Sequence, residues 1–196
     1  MSSHLPFSRF ESAEQPFDRW YLASPTTGHG EEVDPRLFTQ GKRVDIAGDL
    51  YLSKRREGKP LDFTLADFDM PVVSDRLAAL LLQHAKDEIQ LVPVSVHGEP
   101  STYQILNVCA AVPCIAEPET VVTRWGPDDG RPDKIGQLRM VMSPVMSADQ
   151  HGGQAIFRAE GWQIMLLCHC GLAQALISSG FSGIALSALP SRLCLG

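Results

Sequence analysis

The sequence predicts an α+β fold: a mixed, largely antiparallel sheet with a few helices packed on it. Three observations carry this. Apolar stretches of strand length outnumber stretches with helical spacing, and the connections between them are short. Two segments, Phe68 to Val96 and Trp162 to Leu189, also repeat one local order: apolar strand, capping step, apolar helix, returning strand. With no Gly/Ser linker or Pro-rich spacer between the apolar blocks, the 196 residues read as a single globular domain, 1–196.

Residues 1–19 mix Pro, Ser and charge without periodicity, which predicts an irregular N-terminal segment. Arg19-Trp-Tyr-Leu22 is a short strand ended by Ser24-Pro25. Val44-Asp-Ile46 and Asp49-Leu-Tyr-Leu52, on either side of Ala47-Gly48, read as a hairpin. Lys54-Arg-Arg56 and Lys59 form the basic cluster of the chain. Gly58 and Pro60 interrupt it, and it reads as a solvated loop.

The first repeat places a strand at Met70-Pro-Val-Val73 and an N-cap at Ser74. Asp75 favours the helix dipole, and Leu77, Leu80, Leu81 and His84 lie at helical spacing before the strand Ile89 to Val96. The second has a strand at Gln163-Ile-Met-Leu-Leu167. Leu172, Ala175 and Leu176 share a helical face, Gly180 is the stop, and Gly183-Ile-Ala-Leu186 returns. Setting Ser74 opposite His169 aligns Leu77-Ala78 with Leu172-Ala173, as two related strand–helix–strand units would. Between them lie a central strand, Tyr103-Gln-Ile-Leu-Asn-Val108, then Val121-Val-Thr123, Leu138-Arg-Met-Val-Met142 and Gln154-Ala-Ile-Phe-Arg158.

Composition narrows the function. A formal charge of −6 disfavours nucleic acid, which needs a basic patch. The longest apolar run, Leu77 to Leu82, is too short for a membrane, and no basic start precedes an apolar segment, so a cytoplasmic location is expected. Five cysteines, an odd number, suit reduced thiols. From Leu61 to Thr123 nine carboxylates face only Arg76 and Lys86, an acidic middle able to steer a basic partner.

Three chemistries bear on a site. Cys168-His169-Cys170 offers zinc ligands on one face of a strand end, but needs Cys109 and Cys114 as a second pair. Cys109 or Cys170 as thiolate, with His84, His97 or His151 as base, could make a nucleophile pair. Neither pattern has the spacing of an established motif, so no catalytic residue, metal or cofactor is assigned. The turn Trp125-Gly-Pro-Asp-Asp-Gly-Arg-Pro-Asp-Lys-Ile-Gly-Gln137 is the third. Its Gly, Pro and Asp build a compact loop, and Trp125 beside balanced charges suits an interface anchor.

Asp69-Met-Pro-Val-Val-Ser-Asp-Arg-Leu77, Leu91-Val-Pro-Val94, Tyr103-Gln-Ile-Leu-Asn107, Trp125 with Asp129-Gly-Arg-Pro-Asp-Lys134, Ile156-Phe-Arg158 and Gly161-Trp162 follow one another in that order. The series resembles the eleventh numbered immunity protein family of bacterial polymorphic toxin systems, in its myxobacterial-type members. The match runs from about Trp20 to Gly183. Two departures stand out: Ile115-Ala116 where the family tends to be acidic, and Cys168-His-Cys170 where it tends to begin a helix with Val-Ser-Glu.

The resemblance implies a cytoplasmic, non-enzymatic protein that binds a cognate protein toxin and neutralises it. The expected contact residues are Asp87, Glu88, Glu99, Glu117 and Glu119 of the acidic middle, with Trp125, Asp128, Asp129, Arg131 and Asp133 of the loop. The alternatives are an enzyme that reverses a toxin's modification through Cys or His, and a zinc-stabilised binding module.

Overall fold

In the computed structural model, which describes residues 6–147 and 152–192, the first element is a strand where none was expected, β1 (Phe7–Ser12). Phe7 and Phe10 point to opposite faces and are buried in different core clusters. A strand covered on both faces shows no alternation, which is why its sequence reads as irregular. Next, β2 (Tyr21–Thr27) runs on through Ser24-Pro25, because it is an edge strand with register shifts where a proline is tolerated. A 3-10 turn, Pro35–Thr39, follows, and Asp34 caps it by accepting from the Arg36 amide (2.9 Å).

The expected hairpin does not form. Val44 meets the side chain of Gln90 instead, donating its N–H to Oε1 (3.0 Å) and accepting from Nε2 (2.8 Å), so an amide replaces the strand partner. Lys54-Arg55-Arg56 is no loop either, since β3 (Leu50–Arg56) contains it. The chain continues through β4 (Phe63–Ala66), β5 (Met70–Ser74), α1 (Asp75–Ala85), β6 (Ile89–Val96), β7 (Tyr103–Val108) and β8 (Ala111–Val112). Then come β9 (Val121–Arg124), β10 (Leu138–Met142), β11 (Met146–Ser147), β12 (Ile156–Ala159), β13 (Trp162–His169), α2 (Cys170–Ser179), β14 (Ile184–Ala188) and β15 (Ser191–Arg192). This is the α+β, mixed and largely antiparallel architecture expected.

The two strand–helix–strand units share one construction. In a six-stranded sheet of order β2-β3-β6-β7-β5-β4, β5 and β6 run in the same direction and flank the antiparallel β7, with α1 crossing between them. In a five-stranded sheet of order β14-β1-β13-β12-β8, β13 and β14 flank the antiparallel β1, and α2 crosses. Registers agree residue for residue: Val72↔Ile105, Val73↔Gln104 and Ser74↔Tyr103 match Leu167↔Arg9, Cys168↔Ser8 and His169↔Phe7. A constant shift of 95 positions carries N-cap Ser74 to N-cap His169, Leu77 to Leu172, Leu81 to Leu176 and Ile89 to Ile184. The units differ in where the middle strand originates. One uses the strand that follows it, β7, and the other borrows β1 from the start of the chain.

The helices seal a shared core. Leu77 and Leu81 of α1 and Leu172 and Leu176 of α2 pack in one cluster with Phe10, Phe63, Leu106 and Ile156. Leu77 and Leu81 are fully buried, and each stabilises the fold by roughly 2 kcal/mol. The Phe10 and Phe63 rings meet edge to face at 4.7 Å across the seam between the units.

Asp62 pins that seam. Its carboxylate accepts from the Ser182 amide (2.9 Å) and hydroxyl (2.9 Å), from the Ser74 hydroxyl (2.8 Å) and from Arg76 (2.8 Å). Burial by itself would raise its pKa, but these four donors outweigh it and hold the pKa at about 2. A carboxylate depressed on folding stabilises above its unfolded pKa, roughly 4, and loses that contribution as pH falls through the folded value. Discounted for partial exposure, the contribution is about 1 kcal/mol. Urea unfolding at pH 5 and pH 2.5 should therefore show wild type losing about two thirds of that contribution more than Asp62→Asn on acidification, because pH 2.5 still lies above the folded pKa; equal losses would refute the assignment.

Candidate functional site: a hairpin over a cavity

Among the described residues β9 and β10 pair only with each other, as a two-stranded arm. The turn between them is closed by Trp125 N–H on the Gln137 carbonyl (3.0 Å) and Gly136 N–H on the Trp125 carbonyl (2.9 Å). Asp129 accepts from the Gly126 amide (2.8 Å) and pairs with Arg139 (2.5 Å), while Arg131 pairs with Asp133 (2.9 Å). Arg124 ties the arm to Glu117 (2.5 Å) and donates to the Gly136 carbonyl (2.6 Å) within the turn. The Trp125 ring lies against Arg139 (4.7 Å) and Lys134 (5.6 Å). Val121, Ile135, Met140 and Met142 are exposed along the arm. The arm is thus cross-linked by its own hydrogen bonds and ion pairs and carries exposed apolar side chains.

Beneath it opens a cavity of about 700 Å³, the size of a small-ligand site. Lys134, Gln137 and Leu138 form one wall, Arg36 and Lys42 another, Phe68 and Asp69 a third, and Arg158 with Trp162 to Ile164 the floor. Lys42 is held there because the buried Asn107 amide donates to its carbonyl (2.9 Å). Phe68 and Asp69 have φ of 56° and 57°, a left-handed backbone that non-glycine residues adopt at a cost of about 1–2 kcal/mol each.

Arg158 is 2 % exposed. It shares a strand face with Ile156, which belongs to the core between the sheets, so its guanidinium ends at the margin of that core. Nη1 donates to the Gln163 carbonyl (2.7 Å), while Nε and Nη2 are buried without a partner. Burial pulls its pKa down to about 10, partly offset by Asp69. Five of the residues quoted for the family resemblance line this cavity, Asp69, Lys134, Arg158, Gly161 and Trp162, while others such as Val72, Leu77 and Ile105 belong to the core.

The expected contact residues occupy three places. Trp125, Asp128, Asp129, Arg131 and Asp133 form the arm's tip, and Glu117 and Glu119 the adjoining turn. Asp87 is exposed after α1, but Glu88 accepts from the Ala155 (3.2 Å) and Ile156 (3.4 Å) amides, clamping one unit to the other. Glu99 pairs with Lys54 (2.6 Å) beyond the far end of β6, about 25 Å from Glu88. The acidic middle is therefore not an acidic surface of the same extent. Asp62, Asp67, Glu99 and Glu117 are met by Arg76, Arg55, Lys54 and Arg124, and the misread basic cluster supplies two of these four bases.

Cys168 and Cys170 do not share a face: the first is buried in β13, the second is exposed and opens α2. Cys114 and Cys168 have pKa values pushed up to about 12 by burial, and burial also raises that of Cys109, so these thiols are poor nucleophiles near neutral pH. Cys170 Sγ lies 3.6 Å from His169 Nδ1, a neighbour other than the three bases expected. His151 and Cys194 lie outside the described residues.

Fold and site together define an α+β protein with a cavity and a covering arm, to both of which some of the motif residues contribute. The model of the Immunity protein family (Imm11) matches residues 13–189, and the chain belongs to that family. No curated protein matches it. None of the helices among the described residues is long and apolar enough to cross a membrane.

Proposed function

We propose that this protein is the immunity partner of a polymorphic toxin and neutralises it in the cytoplasm by forming an inhibitory complex, without catalysis of its own. Membership of an immunity family supports the biological role. The observation that carries the mechanism is the two-stranded β9–β10 arm, where exposed Val121, Met140 and Met142 accompany a pre-oriented Trp125. Apolar and aromatic groups that are rigid before binding lose little entropy on docking. Arg131 pairs with Asp133 and Arg139 with Asp129, so those four charges are partly compensated before docking. The net charge of −6 steers a basic toxin towards the protein at long range.

Co-expression with the product of the neighbouring toxin gene tests the proposal. Cells are expected to survive and the two proteins to co-elute on size exclusion. Continued killing with no complex would refute it. The Cys/His enzyme remains the competing mechanism, and protection abolished by Cys170→Ser or His169→Gln would favour it.

A further inference from the structure

We propose that the cavity beneath the β9–β10 arm is a binding site for an organic carboxylate, held by Arg158 through Nε and Nη2. These two atoms form one edge of the guanidinium, a fork that matches two oxygens of a planar anion. The chain uses this edge repeatedly on its own carboxylates. Arg55 grips Asp67 through Nε (2.8 Å) and Nη2 (2.5 Å), Arg76 grips Asp62 (3.3 and 2.8 Å), and Arg131 grips Asp133 (3.0 and 2.9 Å). Only Arg158 of these four has the edge buried without a partner; it is closed even to water, so a carboxylate gains it only as the side chains lining the cavity shift. Leaving two guanidinium donors without partners away from water is costly, and a bound carboxylate would remove the penalty.

The surroundings favour the same ligand. Lys42, Lys134 and Arg158 line the cavity against the carboxylate of Asp69, with Arg36 on its wall already paired to Asp34 (3.4 Å), a positive pocket in a protein of charge −6. Asp69 acts on Arg158 through space, but no ion pair joins them among the described residues. Phe68, Leu138, Trp162 and Ile164 add apolar wall, suited to an aromatic or aliphatic body behind the carboxyl group. The carboxylate can come from a small molecule or from an acidic side chain of the toxin; the second source alone rests on the function proposed above.

The test uses the full chain labelled with 15N-arginine, titrated with benzoate, inorganic phosphate and chloride at matched ionic strength. The Arg158 Nε–H resonance, assigned by its loss in Arg158→Lys, should shift saturably with benzoate, at least tenfold more tightly than with phosphate or chloride. If Arg158→Lys does not fold, the rim variant Lys42→Ala/Lys134→Ala serves. It should weaken benzoate about threefold to tenfold with an unchanged melting temperature. Absence of a saturable shift, or phosphate binding as tightly as benzoate, overturns the proposal. Saturating benzoate that raises the toxin's Kd assigns the carboxylate to the toxin; an unchanged Kd assigns it to a small molecule. Failure to form any toxin complex would count against the immunity mechanism alone, because the benzoate titration stands without it.

Discussion

Gly183→Ala is expected to lower the unfolding free energy by about 3 kcal/mol, the sum of a left-handed backbone penalty and overpacking. Gly183 has φ of 85°, and a Cβ there would stand 2.1 Å from the Phe63 carbonyl oxygen and 3.1 Å from the Leu61 side chain. The obstruction is backbone and belongs to the other unit. Phe63 N–H donates to the Ser182 carbonyl (3.1 Å) and Ala13 N–H to the Gly183 carbonyl (2.8 Å), so neither side can retreat without losing the seam. Gly30 is the control. Its φ is 83°, but no atom lies within 4 Å of its Cβ position, so Gly30→Ala should cost only about 1 kcal/mol. In thermal unfolding Gly183→Ala should melt roughly 10 °C lower. Equal shifts for the two variants would mean that the units do not meet tightly at Gly183.

Trp125→Ala is expected to weaken toxin binding by about 2 kcal/mol or more, roughly thirtyfold in Kd, while altering the melting temperature little. The ring is half-buried and braced by Arg139 and Lys134, so it reaches a partner already ordered. Removing it deletes a large contact but only a surface cation–π interaction of about 0.5–1 kcal/mol from the fold. Calorimetric titration of wild type and variant, beside their melting curves, separates the two effects. A Kd within threefold of wild type would move the interface away from the arm's tip. Met140→Lys, on the exposed face of β10, should weaken binding in the same direction.

How much of this was legible in sequence followed from how local its cause was. The units could be read because caps and helical spacing are local: Ser74 accepts from the Leu77 amide, and Leu77 and Leu81 are buried as their spacing requires. β1 was invisible, because its partners at both edges and the residues covering both its faces lie far along the chain. Val44–Ile46 alternates like a strand, yet Gln90 took the partner's place, a substitution that no local pattern announces. Charge was the least legible feature. Lys54 and Glu99 are far apart in sequence and 2.6 Å apart in space, so a linear imbalance did not survive folding. Arg158 did leave a trace. A charged residue at a core-facing position of the apolar strand Ile156–Ala159 is anomalous, and Asp69, Lys134, Gly161 and Trp162, the other motif residues around it, mark the same cavity.

The most direct measurement is a titration of toxin activity with increasing amounts of the purified chain. Neutralisation by complex formation predicts a linear fall that reaches zero when the chain saturates the toxin, with activity recovered when the complex is separated. Complete and lasting inactivation at a small fraction of an equivalent would show turnover and contradict it.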